Sequence, residues 1–268
     1  MDCLGTHLAN LREIEILAEA ARRALGLMTP DGRIEGNAIT RSGLVLLCGY
    51  LEGFIRELLE EAVDELNESS LNIVKLPSAL LYNVVEDQTE SFRKTRRADS
   101  FKVVPICRNE IPPKFNKNKL SKTGGNPTVD TIEALFESFG VSDVIEILSI
   151  RDYTLTSTYI TESQVSPNMR TQLLDLIEMK IGEQAPTAVE EIVAVIEQKW
   201  AARKKRRAVG YVNEINELLK RRNRIAHGES PEPVTPDELV LAKKMVEKLT
   251  TGLHDMIEEK IAAILVAA

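Results

Sequence analysis

The chain has 268 residues, of which 43% are hydrophobic and 28% charged, an ordinary balance for a globular protein with a sizeable core. A net charge of -7 argues against a protein that coats nucleic acid nonspecifically, although a local basic patch can still bind RNA. The three scattered cysteines offer no metal or disulfide spacing. No apolar run approaches the roughly 20 residues of a membrane span, and the first residues lack the pattern of a secretory signal. We therefore expect a cytoplasmic protein with no membrane partner.

The N-terminal part of the chain predicts two long helices. Apolar residues at helical spacing predict a helix over residues 2–27, and residues 30–36 are interpreted as a turn-rich connector. A second helix, over residues 39–68, is apolar on more than one side, which is typical of a central helix with several neighbours. Glu52 lies in that apolar stretch, and a buried carboxylate needs a partner. Arg222 is the candidate partner, and a boundary position for Glu52 is the alternative.

The composition changes after this second helix. Residues 76–97 predict a helix, residues 101–106 a short apolar run with strand character, and residues 112–126 a loop. A short helix is predicted over residues 130–140, because Asp130 and Glu133 have the spacing of a capping box and Gly140 marks a stop. We interpret residues 69–127 as an inserted, partly irregular lobe with possible short strands, within a single domain over residues 1–268.

The remaining elements are again helical. Residues 151–167 are interpreted as a connector, and the hydrophobic period predicts helices over residues 167–181 and 186–205. The final helix is predicted over residues 235–265, because Thr-Pro-Asp-Glu is a strong helix start. The fold class predicted for the whole chain is therefore all-α, a helical bundle.

The most informative stretch is residues 211–229, YVNEINELLKRRNRIAHGE. Its apolar residues fall on one helical stripe: Val212, Ile215, Leu218 and Leu219. Basic residues crowd the last turn, where cations favour the negative end of the helix dipole, and Gly228 marks the stop. That account of a well-terminated helix leaves Arg222, Asn223 and His227 unexplained.

These three residues resemble the R-x4-H signature of the HEPN superfamily, whose usual form has a polar residue after the arginine. Two further blocks resemble HEPN subfamilies of bacterial and cyanobacterial toxin-antitoxin and phage-defence systems. Residues 46–66 are similar to their first bundle helix, and residues 124–141 to a piece between their two helices. The resemblance implies an all-α, HEPN-like helical bundle. It also implies a metal-independent endoribonuclease that acts as a toxin or an antiviral defence effector.

The chemistry of the signature agrees with that implied activity, in which a 2′-hydroxyl attacks the phosphate and leaves a 2′,3′-cyclic phosphate. Histidine suits the proton transfers, since its unperturbed pKa is about 6.5. Arginine stays charged and presents a planar fork to two phosphate oxygens. The resemblance thus makes Arg222 and His227 catalytic, with Asn223 assisting. Glu52, as the candidate partner of Arg222, would be a supporting residue. It also implies a homodimer with a composite site, no metal or cofactor, and an antitoxin or sensor protein as a possible partner.

Two expectations concern geometry and charge. On a regular helix, five positions place Arg222 and His227 about 140 degrees apart, so we predict that the helix ends or loosens near Ala226. The residues predicted to contact RNA are the basic ones around the signature: Arg221, Arg224, Lys220, Arg203 and Lys204. For any single one of them, a solvated surface position is the alternative.

Other assignments stay open at this point. A catalytically inactive HEPN-like module that binds a protein or nucleotide is the alternative to a ribonuclease, with Arg222 and His227 only stabilising the end of the bundle. His7 and His254 have no motif around them and are predicted to be surface residues. Glu229 stands where HEPN toxins paired with a nucleotidyltransferase antitoxin carry a tyrosine, which favours a different partner.

Overall fold

The structure is a computed structural model and describes residues 2–69, 71, 76–96, 102–108, 110–160, 171, 175, 205–228 and 233–267. The described helices before the signature are α1 (Cys3–Gly26), α2 (Pro30–Glu68), α3 (Ser78–Thr95), α4 (Val103–Cys107), α5 (Lys117–Leu120), α6 (Val129–Glu137) and α7 (Val144–Tyr153). They are followed by β1 (Tyr159–Ile160), β2 (Lys205–Arg206), α8 (Gly210–Ala226) and α9 (Pro236–Ala267). The all-α class predicted from the sequence is confirmed.

The central element is α2, a helix of 39 residues that packs against α1, α8 and α9. Its length and composition alone would let it cross a membrane, with a window of mean hydropathy 1.3. However, its apolar residues Leu47, Leu51, Ile55 and Leu58 are completely buried against the neighbouring helices. The core of the bundle therefore accounts for the apolar character of α2, as the sequence predicted for a helix with several neighbours.

The start of α2 corrects one prediction, since residues 30–36 are helical and do not form a connector. The hydroxyl of Thr29 accepts a hydrogen bond from the backbone N–H of Gly32 at 3.0 Å and so caps the helix. Pro30 occupies the first turn, where a missing N–H costs nothing. A Cβ at Gly32 would lie 2.4 Å from the carbonyl oxygen of Ala24, so glycine is required where α1 and α2 meet.

The segment between α2 and α6 is helical where a strand was expected. The predicted strand over residues 101–106 is wrong, because Val103–Cys107 forms a helical turn, α4. Pro105 is compatible with it, since the first turn of a helix does not use its N–H groups. The helix predicted over residues 76–97 is confirmed as α3, and the loop over residues 112–126 contains the single turn α5. The boundaries proposed for an inserted lobe stay a prediction.

Helices α6 and α9 each begin after a threonine whose hydroxyl accepts a backbone hydrogen bond. The cap of α6 is Thr128, whose hydroxyl accepts from the backbone N–H of Thr131, and the predicted capping box of Asp130 and Glu133 is wrong. Glu133 instead accepts from the backbone N–H groups of Val144 and Ile145 at 3.0 and 3.1 Å and caps α7. The predicted start of the final helix is confirmed by reciprocal hydrogen bonds between Thr235 and Glu238.

Strands contribute little to the described part of the chain. Tyr159 lies opposite Arg206 and Ile160 opposite Lys205 in an antiparallel pair of two-residue strands. Arg206 fixes this pair to α6 through Glu133 at 3.2 Å and also stacks on the ring of Tyr159. Of the helices predicted over residues 167–181 and 186–205, the structure describes only residues 171 and 175, which are helical, and Lys205, which belongs to β2.

His7 and His254 are buried, with 4% and 7% of their surfaces exposed, so the prediction that they are surface residues is wrong. The ring of His7 packs on Phe54 with the centroids 4.5 Å apart. No described residue forms a hydrogen bond with its Nε2 atom. Burial lowers the pKa of His7 to about 4, while the negative charge of Glu247 opposes this shift.

The pKa of His7 predicts a pH dependence of stability. The folded chain binds a proton at His7 less tightly than the unfolded chain does. The free energy of unfolding therefore has its full value above about pH 6.5, where His7 is neutral in both states, and decreases as the pH falls towards 4. The loss over this window is roughly 3 kcal/mol. Urea unfolding at pH 7 and pH 4.5 should show a smaller difference for His7→Leu than for wild type. His227→Leu, at an exposed position, is the matched control and should keep the wild-type difference; equal differences for wild type and His7→Leu would contradict the prediction.

Candidate functional site

The signature lies at the C-terminal end of α8, and the start of that helix is firmly anchored. The backbone N–H of Tyr211 donates to the hydroxyl of Ser149 at 3.1 Å, and its phenol donates to Asp152 at 2.6 Å. Gly210 has φ +54, and a Cβ there would lie 2.8 Å from Ser149, so glycine permits this close approach to α7. Ile215 and Leu218 continue the buried stripe. The end of α8 is thus presented by a rigid part of the bundle.

The helix ends within the signature. Ala226 is the last residue of α8, and His227 follows with its backbone N–H donating to the carbonyl of Asn223 at 2.9 Å. Gly228 has φ +69, a left-handed conformation that favours glycine and stops the helix. The predicted end near Ala226 is confirmed. The exposed side chain of His227 therefore leaves from the C-cap, whose own backbone is still in the right-handed helical region.

Asn223 connects the parts of the signature. Its side-chain oxygen accepts one hydrogen bond from the Nη1 atom of Arg222 at 3.2 Å and another from the Nδ2 atom of Asn126 at 3.0 Å. Its backbone carbonyl accepts the bond from the N–H of His227. A single residue thus bonds to both Arg222 and His227, and it also contacts a turn far away in the sequence.

Arg222 is half-buried. Burial raises the pKa of the Cys48 thiol to about 12, and the positive charge of Arg222 opposes this shift. No ion pair joins Arg222 to a carboxylate within the part of the chain that the structure describes, and Asn223 is its hydrogen-bond partner there. The guanidinium therefore keeps its charge and several N–H donors for an anion.

Glu52 does not form the expected ion pair with Arg222. Both residues are described, and no contact within 4 Å joins their charged groups; instead, Glu52 accepts a hydrogen bond from the hydroxyl of Thr123 at 3.0 Å. Glu52 is half-buried, which agrees with the alternative of a boundary position. The sequence reasoning missed Thr123 and Asn126 as residues of this region. Their signal in the sequence is the glycine pair between them, which marks a tight turn.

The basic residues around the signature occupy different environments. Arg221 donates to the carbonyl of Pro233 at 3.0 Å and pairs with Glu238 at 3.4 Å, so it joins α8 to the start of α9. Lys220 is exposed and pairs with Glu217, while Arg224 is exposed and also takes part in an interaction. Arg203 and Lys204 lie outside the described residues. Their contacts with RNA stay a prediction.

The fold and this site define a class of proteins, all-α bundles that carry an arginine and a histidine five positions apart at the end of a core helix. The family described as RiboL-PSP-HEPN has a sequence profile that matches residues 10–259, nearly the whole chain, and the chain belongs to this HEPN family. HEPN domains are generally associated with ribonuclease activity. No curated protein and no solved structure matches the chain.

The left-handed backbone at Gly228 predicts a specific effect of substitution. Gly228→Ala should destabilise the protein by about 1 kcal/mol, because a side chain is strained at this φ even though no atom of the described residues lies within 4 Å of the added Cβ. The matched control is Gly49→Ala inside α2, which also has open space but ordinary helical backbone. That variant should stabilise by about 0.5 kcal/mol. Urea unfolding measures both values, and shifts of the same sign would contradict the assignment.

Proposed function

We propose that this chain is a metal-independent endoribonuclease that acts as a homodimer and serves as a toxin or antiviral defence effector in the cytoplasm. The proposal rests on the charge of Arg222 and the exposure of His227. Arg222 keeps a charge that no described carboxylate neutralises, and the exposed imidazole of His227 lies just beyond the helix end on the same short segment. Membership of an HEPN family supports the same activity.

Cleavage requires three contributions from the protein. The 2′-hydroxyl loses its proton and attacks phosphorus, negative charge grows on the phosphorane, and the departing 5′-oxygen takes up a proton. A neutral imidazole of His227 accepts the first proton or, when protonated, supplies the last one. Arg222 binds the phosphorane oxygens with two parallel N–H groups, and Asn223 orients Arg222. The products are a 2′,3′-cyclic phosphate and a 5′-hydroxyl.

The need for two proton transfers explains why we propose a dimer. One imidazole per chain is available at the signature, and a second copy of the chain would supply the other on the opposite side of the scissile phosphate. A symmetric pair of helix ends would also double the positive charge at the cleft. RNA contacts by Lys220, Arg224, Arg203 and Lys204 would then come from both subunits, although the chain as a whole is acidic. An antitoxin or sensor protein would restrain such an enzyme.

The alternative is a catalytically inactive HEPN-like module that binds a protein or nucleotide. Its supporting observation is that Asn223 and Arg221 already have partners within the chain, as structural residues do. In this case Arg222 and His227 would only stabilise the end of the bundle. The two proposals differ in what happens when the imidazole is removed.

The first prediction from the proposal concerns the two signature side chains. His227→Ala should reduce RNA cleavage by at least about 100-fold, because positioned acid–base groups contribute roughly 10²–10⁴ in rate. Arg222→Lys should reduce it by roughly 100-fold, because an ammonium cannot reproduce the planar fork. The exposed Arg12→Lys is the matched control and should cleave at the wild-type rate. Cleavage is followed with a fluorescent RNA in the presence of a chelator, and melting of His227→Ala should match wild type, since its side chain is exposed.

Cleavage that persists in His227→Ala at the wild-type rate would contradict the ribonuclease proposal. Cleavage that stops on addition of the chelator would contradict a metal-independent mechanism. A 2′-phosphate or 3′-phosphate formed without a cyclic intermediate would contradict attack by the 2′-hydroxyl. Loss of cleavage in His227→Ala without a change in melting would contradict the inactive-module alternative.

The second prediction concerns the shared cleft. Wild-type chains are mixed with an equal amount of the double variant Arg222→Ala/His227→Ala and allowed to exchange subunits. If one cleft needs both chains, only wild-type homodimers are active, and the mixture retains about one quarter of the activity of the same total amount of wild type. If each chain acts alone, the mixture retains about one half. A mixture at one half would contradict the composite site.

A further inference from the structure

The turn before α6 contributes to the signature, although it is far from α8 in the sequence. We propose that Asn126 is a positioning residue of this site, which holds the carboxamide of Asn223 and, through it, the guanidinium of Arg222. The inference rests on the proposed ribonuclease function. It assigns part of the active-site geometry to residues 123–126, outside the R-x4-H signature.

The direction of the hydrogen bonds follows from the chemistry of arginine. A guanidinium can only donate, so the Asn223 atom that faces Nη1 of Arg222 must be the oxygen. The same oxygen is 3.0 Å from the amide of Asn126, which must therefore present its NH2 group. Asn126 and Arg222 thus donate to one oxygen, whose two lone pairs are both used. Only one orientation of the two amide groups, of Asn223 and Asn126, satisfies both hydrogen bonds.

Hydrogen bonds join the turn that carries Asn126 to α2 and to α8. On one side, Thr123 donates to Glu52 of α2, and on the other, Asn126 donates to Asn223 of α8. Gly124 and Gly125 between them have φ +71 and +116, which lets the chain reverse within this short distance. Thr123 and Pro127 are buried, and Thr128 immediately begins α6. Asn126 is therefore held by its own surroundings before it contacts Asn223.

The hydrogen bond between Asn126 and Asn223 affects catalysis because it fixes the rotamer of Asn223. Arg222 and Asn223 are adjacent, so their side chains leave a helix about 100 degrees apart and do not face each other without a specific rotamer. An amide that is bonded only to Arg222 would sample other rotamers, and the guanidinium would move with it. The bond from Asn126 selects the rotamer of Asn223 in which its side-chain oxygen also accepts from Arg222. Charge stabilisation depends on such preorganisation of the donor.

The experiment is a double-mutant cycle on RNA cleavage. Asn126→Ala should lower kcat by roughly 3- to 10-fold, the change that corresponds to one neutral hydrogen bond, and leave KM nearly unchanged. Asn126→Asp, which keeps the shape but replaces the donor with a second acceptor, should lower kcat at least as much. In an Asn223→Ala background, Asn126→Ala should have no further effect, because the residue acts through Asn223. Asn118→Ala, an exposed asparagine nearby, is the matched control and should behave as wild type.

A second readout follows the guanidinium directly. The NMR signal of the Arg222 side chain should shift and broaden in Asn126→Asp, while melting stays close to that of wild type. Independent effects of Asn126→Ala and Asn223→Ala on kcat, or a change in KM alone, would overturn the inference and leave the ribonuclease proposal intact. An unchanged Arg222 signal would also overturn it. A wild-type chain that cleaves no RNA would overturn both.

Discussion

The constraint on which the structure depends is the burial of α2. This helix is apolar on more than one face, so it is stable in water only when several helices cover it. Its coverage by α1, α8 and α9 fixes where α8, the helix that carries Arg222, lies. The position of the signature is thus a result of core packing. The polar groups of the site occupy the edge of that core, where Glu52 and Arg222 are both half-buried.

The site places an arginine and a histidine at the end of a core helix. In the proposed mechanism Arg222 needs a rigid support, because a charge stabiliser is effective only when its position is set in advance. The hydrogen bond to Asn223 provides that support. His227 is the C-cap of α8, with a backbone that is still helical and an N–H that bonds to Asn223, and the left-handed backbone of Gly228 stops the helix after it. The end of the helix therefore falls at His227, five positions after Arg222.

The sequence predicted the features that depend on local patterns. The hydrophobic period indicated α1, α2, α3, α8 and α9, and the requirement for a helix end near Ala226 came from the spacing of the signature alone. The errors have local causes as well. The first turn of α2 was interpreted as a connector because Pro30, Gly32 and Gly36 are breakers elsewhere in a helix, yet Thr29 and Pro30 form a good start. The surface position predicted for His7 is wrong because the sequence around a single polar residue does not indicate whether that residue is buried.

Local sequence patterns do not indicate which distant segments of the chain contact one another. Charge makes Arg222 the candidate partner of Glu52, with a boundary position as the alternative. In the structure Glu52 accepts from the hydroxyl of Thr123, a contact that no periodicity indicates. Because Asn126, Asn223 and Glu52 come from three separate parts of the chain, the signature acquires its geometry only after these parts have docked. A nascent or partly unfolded polypeptide would carry the motif without the arrangement, so a cell that makes this protein would be exposed to the proposed ribonuclease activity only after synthesis and folding were complete.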